Sequence, residues 1–250
     1  MLRLWPEQVT VGLFPGRSWI RRHGKMTELA SSEPADIAGL AITFDALLAQ
    51  AAPLHGARLD LVVSNQSARI VALPWQPKLR SQSEWQIYAQ AAFDIGGMPL
   101  NDSWVCVPAM RRYGEQGLAC ALPVAWLAAL EKTAQHHGAR LRTVLPLSAA
   151  AYWSPRRWMA AVGSSWLLLE ETDHATLLCF NGRRSTIYDT QPAANERGLR
   201  QLIQRCLLTG APARAAVWCA PGSPIVAVLE AVLPDATVQL LSHDYWDRHA

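Results

Sequence analysis

The stretch Trp166–Ile187, WLLLEETDHATLLCFNGRRSTI, constrains the fold more than any other part of the chain. It divides into three strands, over Trp166–Leu169, Ala175–Phe180 and Arg183–Ile187. The first is an unbroken apolar run, the pattern of a strand buried on both faces. Asn181-Gly182 fits a two-residue type I′ turn, because both residue types accept positive φ. Beyond it the period changes from two to 3.6. Residues 193–208 place Leu199, Leu202, Ile203 and Cys206 at i, i+3, i+4 and i+7. Arg197, Arg200, Gln204 and Arg205 fall on the opposite side, so the segment is an amphipathic helix. A strand over Ala215–Ala220 follows. Gly222-Ser223-Pro224 opens a further helix carrying Ile225, Val228, Leu229 and Val232, and Thr237–Leu241 is a last strand. The order is βββαβαβ.

The first part of the chain reads in the same order, with an addition. Strands are expected at Val9–Phe14, Ser18–Arg21 and Lys25–Leu29, a helix over Ala35–Ala52 and a strand at Leu59–Val63. Then comes a strand at Ala68–Leu73 and a helix opened by the capping box Ser81–Glu84. Strands at Trp104–Val107 and Leu118–Leu122 complete that block. A helix starting at Pro123 and a strand at Leu141–Leu145 finish the first half, and Pro146–Pro155 leads to the second. Two βββαβαβ units, the first enlarged by a β-α-β-β block, describe a duplicated α/β architecture of the actin-like (ribonuclease H-like) kind with two subdomains. The expected divisions are residues 1–155 for the first half, with the inserted subdomain at about 64–122, and 156–250 for the second.

Composition narrows the function classes. Half of the 250 residues are hydrophobic and the net charge is only +3, which excludes a disordered chain and gives no electrostatic footprint for nucleic acid. The five cysteines form no CxxC pair and lie mostly in apolar patterns, as buried reduced thiols do. The longest apolar run, Leu118–Leu130, contains Pro123 and falls short of the ~20 residues that span a bilayer, so no direct membrane insertion is expected. His136-His137 point about 100° apart on a helix, which suits its C-terminal dipole better than a metal. Asp173, His174, Ser164 and Ser165 are triad residue types without a nucleophile elbow. No catalytic and no metal site is expected.

The segment Val62–Gln76, VVSNQSARIVALPWQ, followed by Glu84-Trp85 at the head of a helix, resembles an LSN…R…LPW…EW pattern. That pattern occurs in PilM-like proteins of type IV pilus machinery and in the cytoplasmic domains of GspL-like proteins of type II secretion. The resemblance implies a cytoplasmic scaffold, peripheral to the inner membrane through its partners. Those partners would be the cytoplasmic N-terminal tail of a bitopic inner-membrane protein and the assembly ATPase, and a homodimer is also open. GspL-like chains continue into a membrane span; with the sequence stopping at Ala250, the resemblance leads to the expectation of the freestanding PilM-like arrangement. Carried onto this sequence, the motif makes Asn65, Arg69, Pro74, Trp75 and Trp85 the candidate partner-binding residues. Each also has a structural reading: a turn, an edge-strand charge, a strand exit and packed indoles.

An actin-like ATPase needs a Gly-rich hairpin after its first strand and an Asp-x-Gly hairpin opening its second half, where backbone N–H groups cradle phosphates and a carboxylate holds the Mg²⁺ water shell. Here the first position is Thr10-Val11-Gly12-Leu13, with Gly12 alone. The second is Glu170-Glu171-Thr172-Asp173, with Thr172 where glycine is required. The adenosine-side segment keeps Gly222. Neither ATP nor Mg²⁺ is expected as a cofactor. The alternatives are an active ATP-binding member of the superfamily, such as a small-molecule kinase or ATPase, and a generic α/β interaction domain.

Overall fold

The structure is a computed structural model that describes residues 6–30, 36–109, 113–153, 163–171, 174–181, 184–192, 196–208, 210–219 and 223–241. Strands β1 (Gln8–Leu13), β2 (Arg17–Arg22) and β3 (Lys25–Ala30) form a meander, then helix α1 (Ile37–Gln50) leads to β4 (Arg58–Val63). A 3₁₀ turn at Asn65–Ser67 opens the inserted block of β5 (Arg69–Leu73), α2 (Gln82–Ile95), β6 (Trp104–Ala109) and β7 (Gly117–Pro123). Helix α3 (Val124–His136), β8 (Arg140–Pro146) and α4 (Leu147–Trp153) close the first half. The second half runs β9 (Ser164–Glu170), β10 (His174–Asn181), β11 (Arg184–Pro192), α5 (Glu196–Leu207), β12 (Arg214–Trp218), α6 (Ile225–Val232) and β13 (Thr237–Leu240).

The two large sheets have one strand order. The first is β3-β2-β1-β4-β8 and the second is β11-β10-β9-β12-β13, each an antiparallel meander continued by two parallel strands. The inserted strands form a separate three-stranded sheet, β5-β7-β6. The duplication read from the periodicity is therefore present, insertion included.

Period-2 alternation explains which face goes where. In β9, Trp166 and Leu168 pack with Leu199, Leu202 and Ile203 of α5 and with Leu229 of α6, forming the outer layer of the second half. Leu167 and Leu169 point the other way, into a cluster with Phe14, Trp19, Val62, α4 and Trp218. That second cluster joins both halves, which is why the strand is apolar at every position. In the first half, Val9, Val11, Leu13, Leu59 and Leu61 face α1 and α3.

Three local expectations change. Residues 147–153 of the expected connection Pro146–Pro155 form helix α4. Leu147–Tyr152 are all buried, so the helix has no polar face and no amphipathic period to detect. In the hairpin, Asn181 pairs with Arg184, so it belongs to the ladder and not to the turn; the connection falls on residues 182–183, outside the described residues. A bulge between Cys179 and Phe180 shifts the register of β10 against β11. Finally, Gly12 is no loop residue. It lies inside β1, opposite Trp19 of β2.

Candidate functional site

The junction of the two halves is built from the ends of their strands. The β1–β2 turn is tied by a reciprocal pair, the Phe14 N–H donating to Ser18 Oγ (3.1 Å) and that hydroxyl donating to the Phe14 carbonyl (3.0 Å). This fixes the Phe14 ring 5.0 Å from the ring of Trp218 at the end of β12. One hairpin tip of the first half thus packs on a strand end of the second, with an aromatic pair between them. Gly12 serves the same packing. A Cβ there would lie 2.3 Å from the Trp19 indole, so glycine makes room for a buried ring and the position is not a phosphate cradle.

The turn after β9 supplies the polar part. Glu171, its N–H bonded to the His174 carbonyl at 2.8 Å, sends its carboxylate across to the first half. It accepts from Ser64 Oγ at 2.5 Å and from the Asn65 backbone N–H at 3.1 and 3.2 Å. Asn65 continues the network: its Oδ1 accepts from the Ser148 N–H (2.9 Å), and its Nδ2 donates to Thr176 Oγ1 (3.4 Å). Burial pushes the Glu171 carboxyl up to about 7, against the pull of the Ser64 and Asn65 donors. Glu170 is also raised by burial, partly offset by a hydrogen bond from Ser223. A carboxylate of the second half therefore occupies the donors at the start of the 3₁₀ turn. Of the nucleotide-loop positions, Thr172, Asp173 and Gly222 lie outside the described residues.

The motif residues are divided among three places. Asn65 is the hub just described. The Arg69 guanidinium donates to the Pro99 carbonyl at 2.6 Å and stacks 4.2 Å from the Trp104 ring, bracing the inserted sheet. Pro74 is exposed at the exit of β5. Trp75 and Trp85 do meet, with centroids 5.3 Å apart, and Trp75 also packs at a tilt, centroids 4.7 Å apart, on Tyr113, which is 80% exposed. The Ser81 capping box is present and sets the start of α2, and so the position of Trp85. His137 bonds Asp45 of α1 at 2.9 Å. Ser164 pairs with Asn181 at one end of the β9–β10 hairpin while His174 starts β10 at the other, so Ser164 and His174 do not converge.

A second feature has no counterpart in the motif. Between the inserted sheet and the first half lies a groove of about 370 Å³, walled by β6, β7, β8, α3 and α4, and every residue lining it is apolar. Val105 and Val107, alternate residues of the edge strand β6, point into it and remain 43% and 56% exposed. Cys106 between them points to the other face, into the cluster under α2. Leu122, Leu127, Val144 and Trp153 are among the residues of the remaining wall. These residues come from five elements, so no local pattern announces the groove; β-branched residues on an edge strand were the one available signal.

No protein-family model matches this sequence, and no curated protein matches it. Solved structures do. One structure of a PilM–PilN type IV pilus biogenesis complex superimposes with a TM-score of 0.65 at 13% identity, over 95% of this chain and 88% of that one. A Bacteroides thetaiotaomicron protein of unknown function with an actin-like ATPase fold gives 0.61 at 9% identity, over 94% and 90%. The cytoplasmic domain of EpsL, an inner-membrane component of the Vibrio cholerae type II secretion system, gives 0.51 at 12% identity, over 84% and 81%. Two sheets of one strand order, the inserted block and these superpositions together establish that this chain has the actin-like ATPase fold.

Proposed function

We propose that the protein is a non-catalytic scaffold of a type IV pilus or type II secretion-like assembly platform. In this reading it holds a membrane partner's cytoplasmic N-terminal tail in the apolar groove beside β6. The observation that carries the reading is the closure of the junction between the halves. Glu171 takes the Ser64 and Asn65 donors, and the Phe14–Trp218 pair fills the space beside them. A bound phosphate would have to displace the Glu171 carboxyl group and two rings, and the donors it needs are already taken. ATP and Mg²⁺ are accordingly no part of the proposed function.

The groove supplies the binding chemistry. An apolar trough along an exposed edge strand suits an extended segment whose alternate side chains enter it. The clustered Trp75, Trp85 and Tyr113 of the inserted block offer a second aromatic surface, suited to a larger partner such as the assembly ATPase. Among the described residues no helix is long and apolar enough to cross a membrane, so attachment to one would run through the partner.

The test is affinity capture with the full chain from detergent-solubilised inner membranes, followed by competition. The expected result is a bitopic protein whose first ten or so residues, as a synthetic peptide, displace it. Competition by periplasmic segments alone, or insensitivity to Val107→Lys, contradicts the assignment.

A further inference from the structure

All five cysteines are buried and free, but they are not equivalent. Cys106 and Cys120 pack into different clusters, on opposite faces of the inserted sheet. Burial raises their thiols to about 11 and about 12, and that of Cys219 to about 11. Cys179 of β10 and Cys206 of α5 share one cluster in the outer layer of the second half, 3% and 1% exposed. There the Cys179 thiol donates a hydrogen bond to the Cys206 sulfur. That bond lowers the Cys206 thiol against the opposing effect of burial, while the same bond, with burial, raises Cys179. One sulfur is thus favoured as the thiolate nucleophile and its neighbour keeps its proton. Two backbone features leave the sulfurs room to close. A bulge falls between Cys179 and Phe180, and bulges re-aim the side chains beside them. Cys206 lies in the last turn of α5, where the final carbonyls have no partner within the helix.

We propose that Cys179 and Cys206 form a modification site, oxidised by a hydroperoxide to a disulfide that ties β10 to α5. With hydrogen peroxide, the Cys206 thiolate attacks one oxygen, so that an S–O bond forms as the O–O bond breaks. The leaving hydroxide takes the proton that Cys206 gave up and departs as water. The Cys179 sulfur then attacks the Cys206 sulfenic acid. The S–S bond forms, the S–O bond breaks, and a second water carries off the Cys179 proton. The two thiols lose two electrons and the peroxide gains them. Closure brings the sulfurs from hydrogen-bond contact to about 2.05 Å. Burial of the pair favours a small oxidant over a bulky disulfide. The assignment is independent of the partner-binding reading.

The test treats the folded full chain with hydrogen peroxide, blocks the remaining thiols with N-ethylmaleimide and maps an unreduced digest by mass spectrometry. A Cys179–Cys206 cross-link is expected, with Cys106, Cys120 and Cys219 carrying the label. Dithiothreitol should reverse it, and the circular dichroism of the folded chain should stay unchanged while it forms. Cys179→Ser removes the second sulfur and is expected to leave Cys206 as a sulfenic acid that dimedone traps. Cys219→Ser should leave the cross-link intact. The proposal is overturned if the folded chain keeps both thiols after peroxide, or if either sulfur pairs with another cysteine. A cross-link that appears only once the folded signal is lost overturns it as well.

Discussion

Two residues decide how the halves meet, and each gives a measurable consequence. Gly12 sits in a strand with the Trp19 indole where its side chain would be. Gly12→Ala should destabilise the protein by about 1–3 kcal/mol, read from the urea midpoint, because a fully buried ring must move. Glu171 is the more informative. Its folded pKa of about 7 lies above the ordinary 4.5, so the folded state holds the proton more tightly. The contribution of this group is full below pH 4.5 and declines as pH rises through 7, by about 3 kcal/mol at the most. Glu171→Gln keeps an acceptor for the Asn65 N–H without the charge. Its melting temperature should exceed that of the parent at pH 8 and converge with it at pH 5. Glu171→Ala should lose stability at pH 5, by about 1–3 kcal/mol, because Ser64 and Asn65 are left unpaired. Equal pH profiles for the parent and Glu171→Gln would show that the carboxylate is not held as described. The sequence shows Ser64-Asn65 as a turn, and the turn is there. Its acceptor, 106 residues away, is invisible to any local pattern.

At the scale of elements, periodicity carried most of the reading, and its failures have causes. Helix α5 has one buried and one charged face, so its existence was legible to within a few residues. The inserted block was legible because a capping box and two apolar strands announce themselves locally. Helix α4 was not, since six of its seven residues are buried and give no contrast between faces. The β10–β11 register was missed because a bulge breaks the strict period of two. The apolar groove is not legible locally, being assembled from five elements that each donate one to four residues. Its prediction belongs at this scale too. Val107 lies on an exposed edge strand, so Val107→Lys should leave stability within about 0.5 kcal/mol of the parent while placing a charge in the groove proposed to take the tail. Binding of the captured partner's tail peptide should then fall about tenfold or more, as a desolvated ammonium is expensive in an apolar trough.

For the whole molecule, the duplicated fold brings two strand ends together at a junction that in an actin-like ATPase would be a nucleotide cleft. Here the two central sheets share an apolar cluster with α4 between them, and the polar groups at the junction bond one another. The molecule is built to hold its halves together. The most direct measurement is calorimetric titration of Mg-ATP into the full chain, with a thermal-shift series alongside. No heat and no shift at millimolar nucleotide is the predicted result. A micromolar Kd, with ~2.7 kcal/mol of added stability at a hundredfold excess over it, would contradict the closed junction and make the protein a nucleotide-binding one.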